Sequence, residues 1–431
     1  MSNQRTTDVV VIGGGQAGLA MSRCLTDRSI DHVVLERAEV ANSWTNERWD
    51  SLRTLTPNWM SRLPGFSYSG DDPDGYMTAL DVAALLDTYR RSFDAPVRTG
   101  VEVTRIRSVE HDGHVVESSD GPWNTRAVVM ATGACSTPRI PEVATDMPDH
   151  VDQLTPIAYR NPAQVSDGRV LVVGASASGL QIADELSRAG REVTLAVGDH
   201  VRLPRTYRGM DIHWWMDTIG QLDERYDEVE DLARARRLPS LQLVGSPERR
   251  DLDVNSAAAN GVALAGRLVG RAGNRAQFSG SFANMCMSAD LKQQRLLDRL
   301  DEYAATHGLD GELGEPTRPA PTTVGAPMLD LDLRSIGTVV WATGFRPSYP
   351  WLDPSLLDGR GRLVHDGGVL DVPGLYVLGL PFLRRRKSSF IDGVGPDAEE
   401  LSDHLSTHLG HLARSTSTRT DQHTWTGQLT S

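Results

Sequence analysis

The strongest constraint on this chain is a glycine-rich turn that occurs twice. Val9-Val10-Val11-Ile12 is a short β-branched run and reads as a strand buried on both faces. Gly13-Gly14-Gly15-Gln16-Ala17-Gly18 follows, then a helical pattern through Ala20, Met21, Cys24 and Leu25, then a second strand, Val33-Val34-Leu35, ending at Glu36. In G-x-G-x-x-G the first glycine permits the tight turn. The second lets backbone approach a pyrophosphate, and the third lets helix pack on strand. Gly13, Gly15 and Gly18 fill those positions between a strand and a helix. Glu36 stands where a carboxylate can accept hydrogen bonds from a ribose diol.

The second occurrence begins at Arg169. Val170-Leu171-Val172-Val173 is the strand, Gly174 to Gly179 the turn, Leu180 to Arg188 the helix and Val193 to Val197 the next strand. This turn is degenerate, because the middle position is Ser176. Serine is still small, and its hydroxyl can donate to phosphate. The offset that leads from Gly13 to Glu36 leads from Gly174 to Val197, followed by Gly198 and Asp199. Without a carboxylate at that place a ribose 2′-phosphate is not repelled. His200, Arg202, Arg205 and Arg208 follow, and Arg202 and Arg205 are the expected phosphate contacts, favouring NADPH over NADH. A second echo supports the pairing: VVMATGA at 128–134 resembles VVWATGF at 339–345.

Composition narrows the class. At 431 residues the chain is too long for one ordinary domain. With 39% hydrophobic and 23% charged residues it can bury a core, which excludes global disorder. A net charge of −13 argues against a nucleic-acid binder that relies on a basic surface. Cys24, Cys135 and Cys286 make neither a disulfide framework nor a CxxC site. No apolar run approaches a membrane span, and the stretch before the first strand is too short for a signal peptide. A cytoplasmic setting is expected. His404, His408 and His411 have helical spacing but no Cys or Glu beside them, so no metal is assigned. Further along the chain, 48–74 reads as irregular and Leu80 to Phe93 as an amphipathic helix. Val101 to Ile106, His114 to Glu117 and Val128 to Ala131 read as strands. Residues 223–237 read as a solvated charged helix, 290–306 as a helix, and the basic run Arg384 to Lys387 as a solvated loop.

These motifs resemble the two-dinucleotide flavoproteins, and within them the class B flavin-dependent monooxygenases. The likeness covers about residues 7–410. Arg48 to Pro57 looks like the segment that runs beside the flavin in that family, with Trp44 before it and Met60 to Gly65 after it. Ala342 to Phe345 matches the family's ATGF linker, Gly374 to Gly379 its last FAD-contacting strand, and Gly393 to Glu400 the start of its last helix.

The resemblance implies an α/β fold of two Rossmann-like dinucleotide-binding domains, the NADPH domain (156–330) inserted into a discontinuous FAD domain (1–155 and 331–431). The end of the chain, about 415–431, would be a mobile polar tail. It implies cofactor contacts at Gly13, Gly15, Gln16, Ala17, Gly18, Glu36, Arg37, Trp44, Trp49, Val103, Thr132, Gly133, Gly174, Ser176, Ser178, Gly179, Gln181, Arg202, Arg205, Thr343, Gly344 and Gly379. Thr56 and Asn58 lie where relatives place polar groups near the flavin edge. The implied chemistry is NADPH-driven formation of a flavin C4a-hydroperoxide from O₂, which oxygenates a small organic substrate at nitrogen, at sulfur or by Baeyer–Villiger insertion. One position departs from the family: Thr155 stands where a histidine is expected before the second glycine loop. Two other classes stay open. One is an NAD(P)H-dependent quinone reductase without oxygen insertion. The other is a non-catalytic, redox-sensing flavoprotein. A homodimer is compatible with everything above.

Overall fold

The computed structural model describes residues 5–109 and 113–425, with side chains as far as Leu412. Among these, the first sheet has nine strands. Its centre is β1 (Arg5–Ile12), flanked in parallel by β2 (His32–Leu35) and Trp123–Met130, with α1 (Gln16–Asp27) between β1 and β2. Val9, Val10 and Val11 are fully buried, as expected for a strand covered on both faces. A late strand, Leu375–Val377, pairs in parallel with Trp123–Met130, so one sheet joins both ends of the chain. The last helix, Ile391–Trp425, packs against α1.

The second sheet has five strands among the described residues, all parallel. Its order is Asp152–Leu154, Ile336–Trp341, Arg169–Val173, Val193–Ala196, Ala263–Ala265. Helix Ala177–Arg188 follows the degenerate glycine turn, and its buried Leu180, Ile182, Ala183 and Leu186 cover this sheet.

The pairings move both expected domain boundaries. Asp152–Leu154 and Ile336–Trp341 were expected in the first domain, yet both lie in the second sheet. Ile336–Trp341 is buried along its whole length, because it runs between two other strands. Other expectations change as well. The helix expected at 290–306 begins at Phe282. The helix expected at 80–93 is Ala79–Arg91, started by a Thr78–Asp81 capping box. In 223–237 only Leu232–Ala235 is α-helical, because the segment is held by ion pairs rather than by a helix. The tail expected at 415–431 is helical to Trp425, and the rest of it lies outside the described residues. Among the described residues no helix is long and apolar enough to cross a membrane, and no group of side chains could hold a metal.

The basic run is not a solvated loop. Arg384 Nε donates to Glu400 Oε2 at 2.8 Å, and Arg385 bonds both Asp397 (2.8 Å) and Glu400. Arg386 bonds Glu224, and Lys387 reaches Asp223 and Asp392, each at 3.1 Å. These four cations tie the segment around 222–226 to the last helix. Burial would raise the Glu400 carboxyl. Hydrogen bonding from Arg385 and the charges of the surrounding arginines outweigh this and hold it at about 2, against 4.5 when unperturbed. A depressed carboxylate stabilises the fold above its unfolded pKa, and the contribution is lost as pH falls through the folded one. Glu400→Gln should therefore be less stable than the parent at neutral pH. In urea melts across pH, the difference should close between about 4.5 and about 2.

Candidate functional site

The glycines of the first turn have separate jobs. Gly13 has φ +109°, and a Cβ there would lie 2.5 Å from the Ala131 carbonyl oxygen. A Cβ on Gly18 would lie 1.8 Å from the Gly13 carbonyl oxygen. Both glycines are demanded by the fold. Gly15 differs, with extended backbone at φ −87°, ψ −171° and nothing within 4 Å of its Cβ position. An alanine would fit there. The protein's own packing does not require the bare backbone at Gly15.

That open side faces a cavity of about 500 Å³, within the usual range for a small-molecule or cofactor site. Gly13, Gly15, Gln16, Ala17, Glu36, Arg37, Trp44, Val103, Thr132, Gly133 and Gly379 all line it. Glu36 Oε2 accepts the Gly14 N–H at 2.6 Å and Oε1 accepts the Ala38 N–H at 3.0 Å. Each oxygen keeps a lone pair for a diol. Trp44 Nε1 donates to Gln16 Oε1 at 3.2 Å, and the Arg48 guanidinium lies 5.6 Å from the centre of the Trp44 ring. Ala41 carries a left-handed φ of 59°, a strain of roughly 1 kcal/mol or more for a residue with a side chain. Its N–H donates to the Gly14 carbonyl at 3.1 Å, so the strained turn braces the glycine loop.

Several lining residues escape a reading of motifs. Ala134 to Thr137 continue the first Ala-Thr-Gly turn, so adjacency to that turn is a usable signal. Ser348, Pro350 and Trp351, and Pro381 and Ser389, come from far along the chain, where no local pattern marks them, while Val394 falls in the matched stretch Gly393 to Glu400. Among the described residues no histidine lines the cavity, so its walls supply no imidazole acid or base.

Three assignments near the cavity are corrected. Trp49 does not line it. It is 4% exposed and packs with Tyr159, Val170 and Leu180 in the core of the second sheet. Asn58 is buried and its amide is already used: Nδ2 donates to the Asp72 carbonyl at 2.8 Å, and Oδ1 accepts the Met77 N–H at 2.9 Å. It fastens the 57–77 loop through its oxygen and one of its two amide N–H groups, and it lies outside the cavity lining. Thr56, beside it, is half-buried and outside the cavity lining.

The second turn repeats the first contact for contact. Gly174 has φ +108°, and a Cβ there would meet the Ala342 carbonyl oxygen at 2.3 Å. A Cβ on Gly179 would meet the Gly174 oxygen at 1.9 Å. The Ser176 and Ser178 hydroxyls are half-buried and face no protein hydrogen-bond partner among the described residues. Gln181 is turned inward, its Nε2 donating to the Leu243 carbonyl at 2.6 Å. Thr343 donates to the Arg139 carbonyl, and Gly344 has open space at its Cβ position. None of these residues lines the first cavity.

Arg202 and Arg205 are not free to meet a phosphate. Arg202 is 3% exposed and bonds Asp253 (2.7 Å), Asp290 (2.6 Å) and the Ala320 carbonyl (2.8 Å). Arg205 is completely buried, 4.9 Å from the centre of the Tyr76 ring, and bonds the Leu55 carbonyl, Asp211 and His213. Burial would raise Asp211, but hydrogen bonding from His213 and the Arg205 charge hold it at about 2. Arg205 thus clasps the 53–56 segment of the first domain to the second. Arg160 does the same further back, bonding the carbonyls of Asn46 and Arg48. Thr155, in place of the expected histidine, accepts the N–H groups of Ala158 and Tyr159 through its carbonyl. This turn delivers Tyr159 into the core, where its hydroxyl donates to Glu185 at 2.9 Å.

Comparison with known proteins agrees with this geometry. The family profile described as pyridine nucleotide-disulphide oxidoreductase matches residues 10–218. An uncharacterized CzcO-like oxidoreductase of Geobacillus kaustophilus is 32% identical over 408 residues, covering 94% of this chain and 100% of that one. The indole-3-pyruvate monooxygenase YUCCA6 of Arabidopsis thaliana is 30% identical over 217 residues, 47% of this chain and 51% of that one. A solved flavin-containing monooxygenase from Stenotrophomonas maltophilia has a TM-score of 0.67 at 22% identity, covering 94% of this chain and all of that one. At that identity the likeness speaks for the fold.

Three substitutions test this geometry. Gly15→Ala should keep its stability within about 0.5 kcal/mol yet carry less bound flavin, read from visible absorbance of the purified protein. Gly18→Ala should lose about 3 kcal/mol or more in urea melts. Arg205→Ala should cost about 3–5 kcal/mol, because it removes the cation that faces the largely covered Asp211 carboxylate and leaves that charge only the Tyr76 hydroxyl and the His213 N–H. Its effect on NADPH and NADH affinity should be equal, since the guanidinium faces the domain junction.

Proposed function

Since the chain belongs to the pyridine nucleotide-disulphide oxidoreductase family, among CzcO-like flavin-dependent oxidoreductases, we propose that it is an FAD-dependent, NADPH-using monooxygenase acting on a small organic substrate. The observation that carries the flavin part is Gly15, whose glycine the fold does not require and whose bare backbone opens onto the cavity. Backbone N–H groups at the start of α1 hold the pyrophosphate of FAD there, and Glu36 takes the ribose diol. The second turn has Ser176 in the place of Gly15, and offers the N-terminus of Ala177–Arg188 and two unpartnered serine hydroxyls, which would hold the nicotinamide dinucleotide.

When bound, the flavin supplies the redox chemistry: hydride acceptance from the nicotinamide and transfer of an oxygen atom from O₂. The chain binds, orients and shields. Trp44, pinned by Gln16 and covered by Arg48, forms one wall. Thr132 to Thr137 form another, and Pro350 and Trp351 a third. These walls exclude water from the reacting centre, which limits unproductive loss of the oxidising equivalent. Among the described residues the lining carries no imidazole, and its titratable acids are Glu36, Glu47, Glu102 and Cys135. Soft nucleophiles such as amines and thioethers, and ketones, fit chemistry of this kind.

The test uses the purified protein with FAD and NADPH under isotopically labelled O₂. A panel of amines, thioethers and ketones should include one that takes up the label as NADPH is consumed. If NADPH is consumed with quinones reduced, or with hydrogen peroxide matching NADPH and no label in any organic product, the protein is a reductase or oxidase without oxygen insertion.

A further inference from the structure

The two glycine turns hold their second residue by different means. In the first, the Gly14 carbonyl accepts the Ala41 N–H at 3.1 Å, a backbone contact within one domain. In the second, the matching carbonyl is that of Ala175, and it accepts Gln242 Nε2 at 2.7 Å. A peptide group is planar, so fixing the Ala175 carbonyl fixes the Ser176 N–H on the opposite side. That N–H has no protein partner among the described residues. It stands at the middle position of the turn, where backbone meets a pyrophosphate. Gln242 is completely buried, and its Oε1 has no hydrogen-bond partner among the described residues. A buried amide oxygen without a donor costs stability. Packing alone therefore does not account for a glutamine here, whereas its N–H on Ala175 does.

The stretch that carries Gln242 also touches the first domain. Gln242 ends the short strand Leu241–Gln242, which pairs with Val201–Arg202. The next residue, Leu243, accepts Gln181 Nε2 at its carbonyl, which ties the stretch to helix Ala177–Arg188. Gly245 then lies flat against the other domain. A Cβ there would meet the Thr54 carbonyl oxygen at 2.2 Å, and the Tyr76 and Arg53 Cβ atoms at 2.8 and 3.0 Å. Thr54 precedes Leu55, whose carbonyl Arg205 holds. A displacement of 53–55 against Gly245 is therefore passed along the chain to Gln242, and from its amide to the peptide of the second turn.

We propose that Gln242 is a positioning residue for the second turn. It aims the Ser176 N–H at the pyrophosphate of the ligand, and through Gly245 it makes that grip depend on how the first domain sits against the second. This rests on the reading of the second turn as the nicotinamide dinucleotide site.

The test titrates FAD-loaded protein with NADP⁺ and with NAD⁺ by calorimetry, since both carry the pyrophosphate. Gln242→Met removes the donor and keeps the side-chain length. It should weaken both probes by a similar factor, roughly tenfold, the worth of one charge-assisted hydrogen bond. Gln242→Glu should recover the parent's affinity at the acid end of a pH series, because a buried carboxyl is neutral there and donates to Ala175. Gly245→Ala should weaken the probes on its own, yet by less than about twofold once Gln242→Met is present, since the two act through one path. The positioning role is overturned if Gln242→Met has no effect or affects one probe only, or if Gln242→Glu is as weak as Gln242→Met at every pH. The link to the first domain is overturned if Gly245→Ala has no effect, or if its effect adds in full to that of Gln242→Met. A parent protein that binds neither probe overturns the dinucleotide site itself and the inference with it.

Discussion

The architecture depends on two places where a helix crosses a strand too closely for a methyl group. At each, the carbonyl oxygen of the first glycine lies less than 2 Å from where the Cβ of the last glycine would be. That contact sets how near α1 lies to β1, and how near Ala177–Arg188 lies to Arg169–Val173. Closeness there leaves the start of each helix as the natural resting place for an anion. The rest of the cavity, from the Ala41 turn to Trp44, is braced against the first of these crossings.

The shared 46–56 segment couples the halves. Its carbonyls are held by Arg160 and Arg205, its Trp49 lies in the core of the second sheet, and Gly245 approaches the Thr54 carbonyl so closely that a Cβ would lie 2.2 Å away. The same segment leads from the flavin cavity, at Glu47 and Arg48, to the interior of the other domain. A shift of one domain against the other must therefore move a cavity wall.

The two turns and the two Ala-Thr-Gly echoes were legible in the sequence because each is local: strand, bare turn and helix are consecutive, so a pattern of residues stands for a pattern in space. Most expected flavin contacts line the cavity for that reason. The arginines were not legible. A run after the second strand resembles a phosphate site in one dimension, but the partners of Arg202 and Arg205 are Asp253, Asp290, Asp211 and the Leu55 carbonyl. Only tertiary topology brings those together. Trp49 and Asn58 sit in a segment whose resemblance is real, yet their side chains point away from the cavity. The domain boundaries were misplaced because Ile336–Trp341 looks like the start of the returning first domain, while its hydrogen bonds belong to the second.

That strand also has a bearing on how the chain is made. It lies between Asp152–Leu154 and Arg169–Val173, which leave the ribosome long before it does. At roughly 5–20 residues per second the slot stays vacant for about ten to thirty seconds. Through that interval the apolar strand Arg169–Val173 presents an unpaired edge to the cell, and the edge awaiting Leu375–Val377 stays open longer still. Assembly of both sheets is therefore governed by what is translated last, and chaperone occupancy on the nascent chain should rise after Val173 and fall only once the returning strands have emerged.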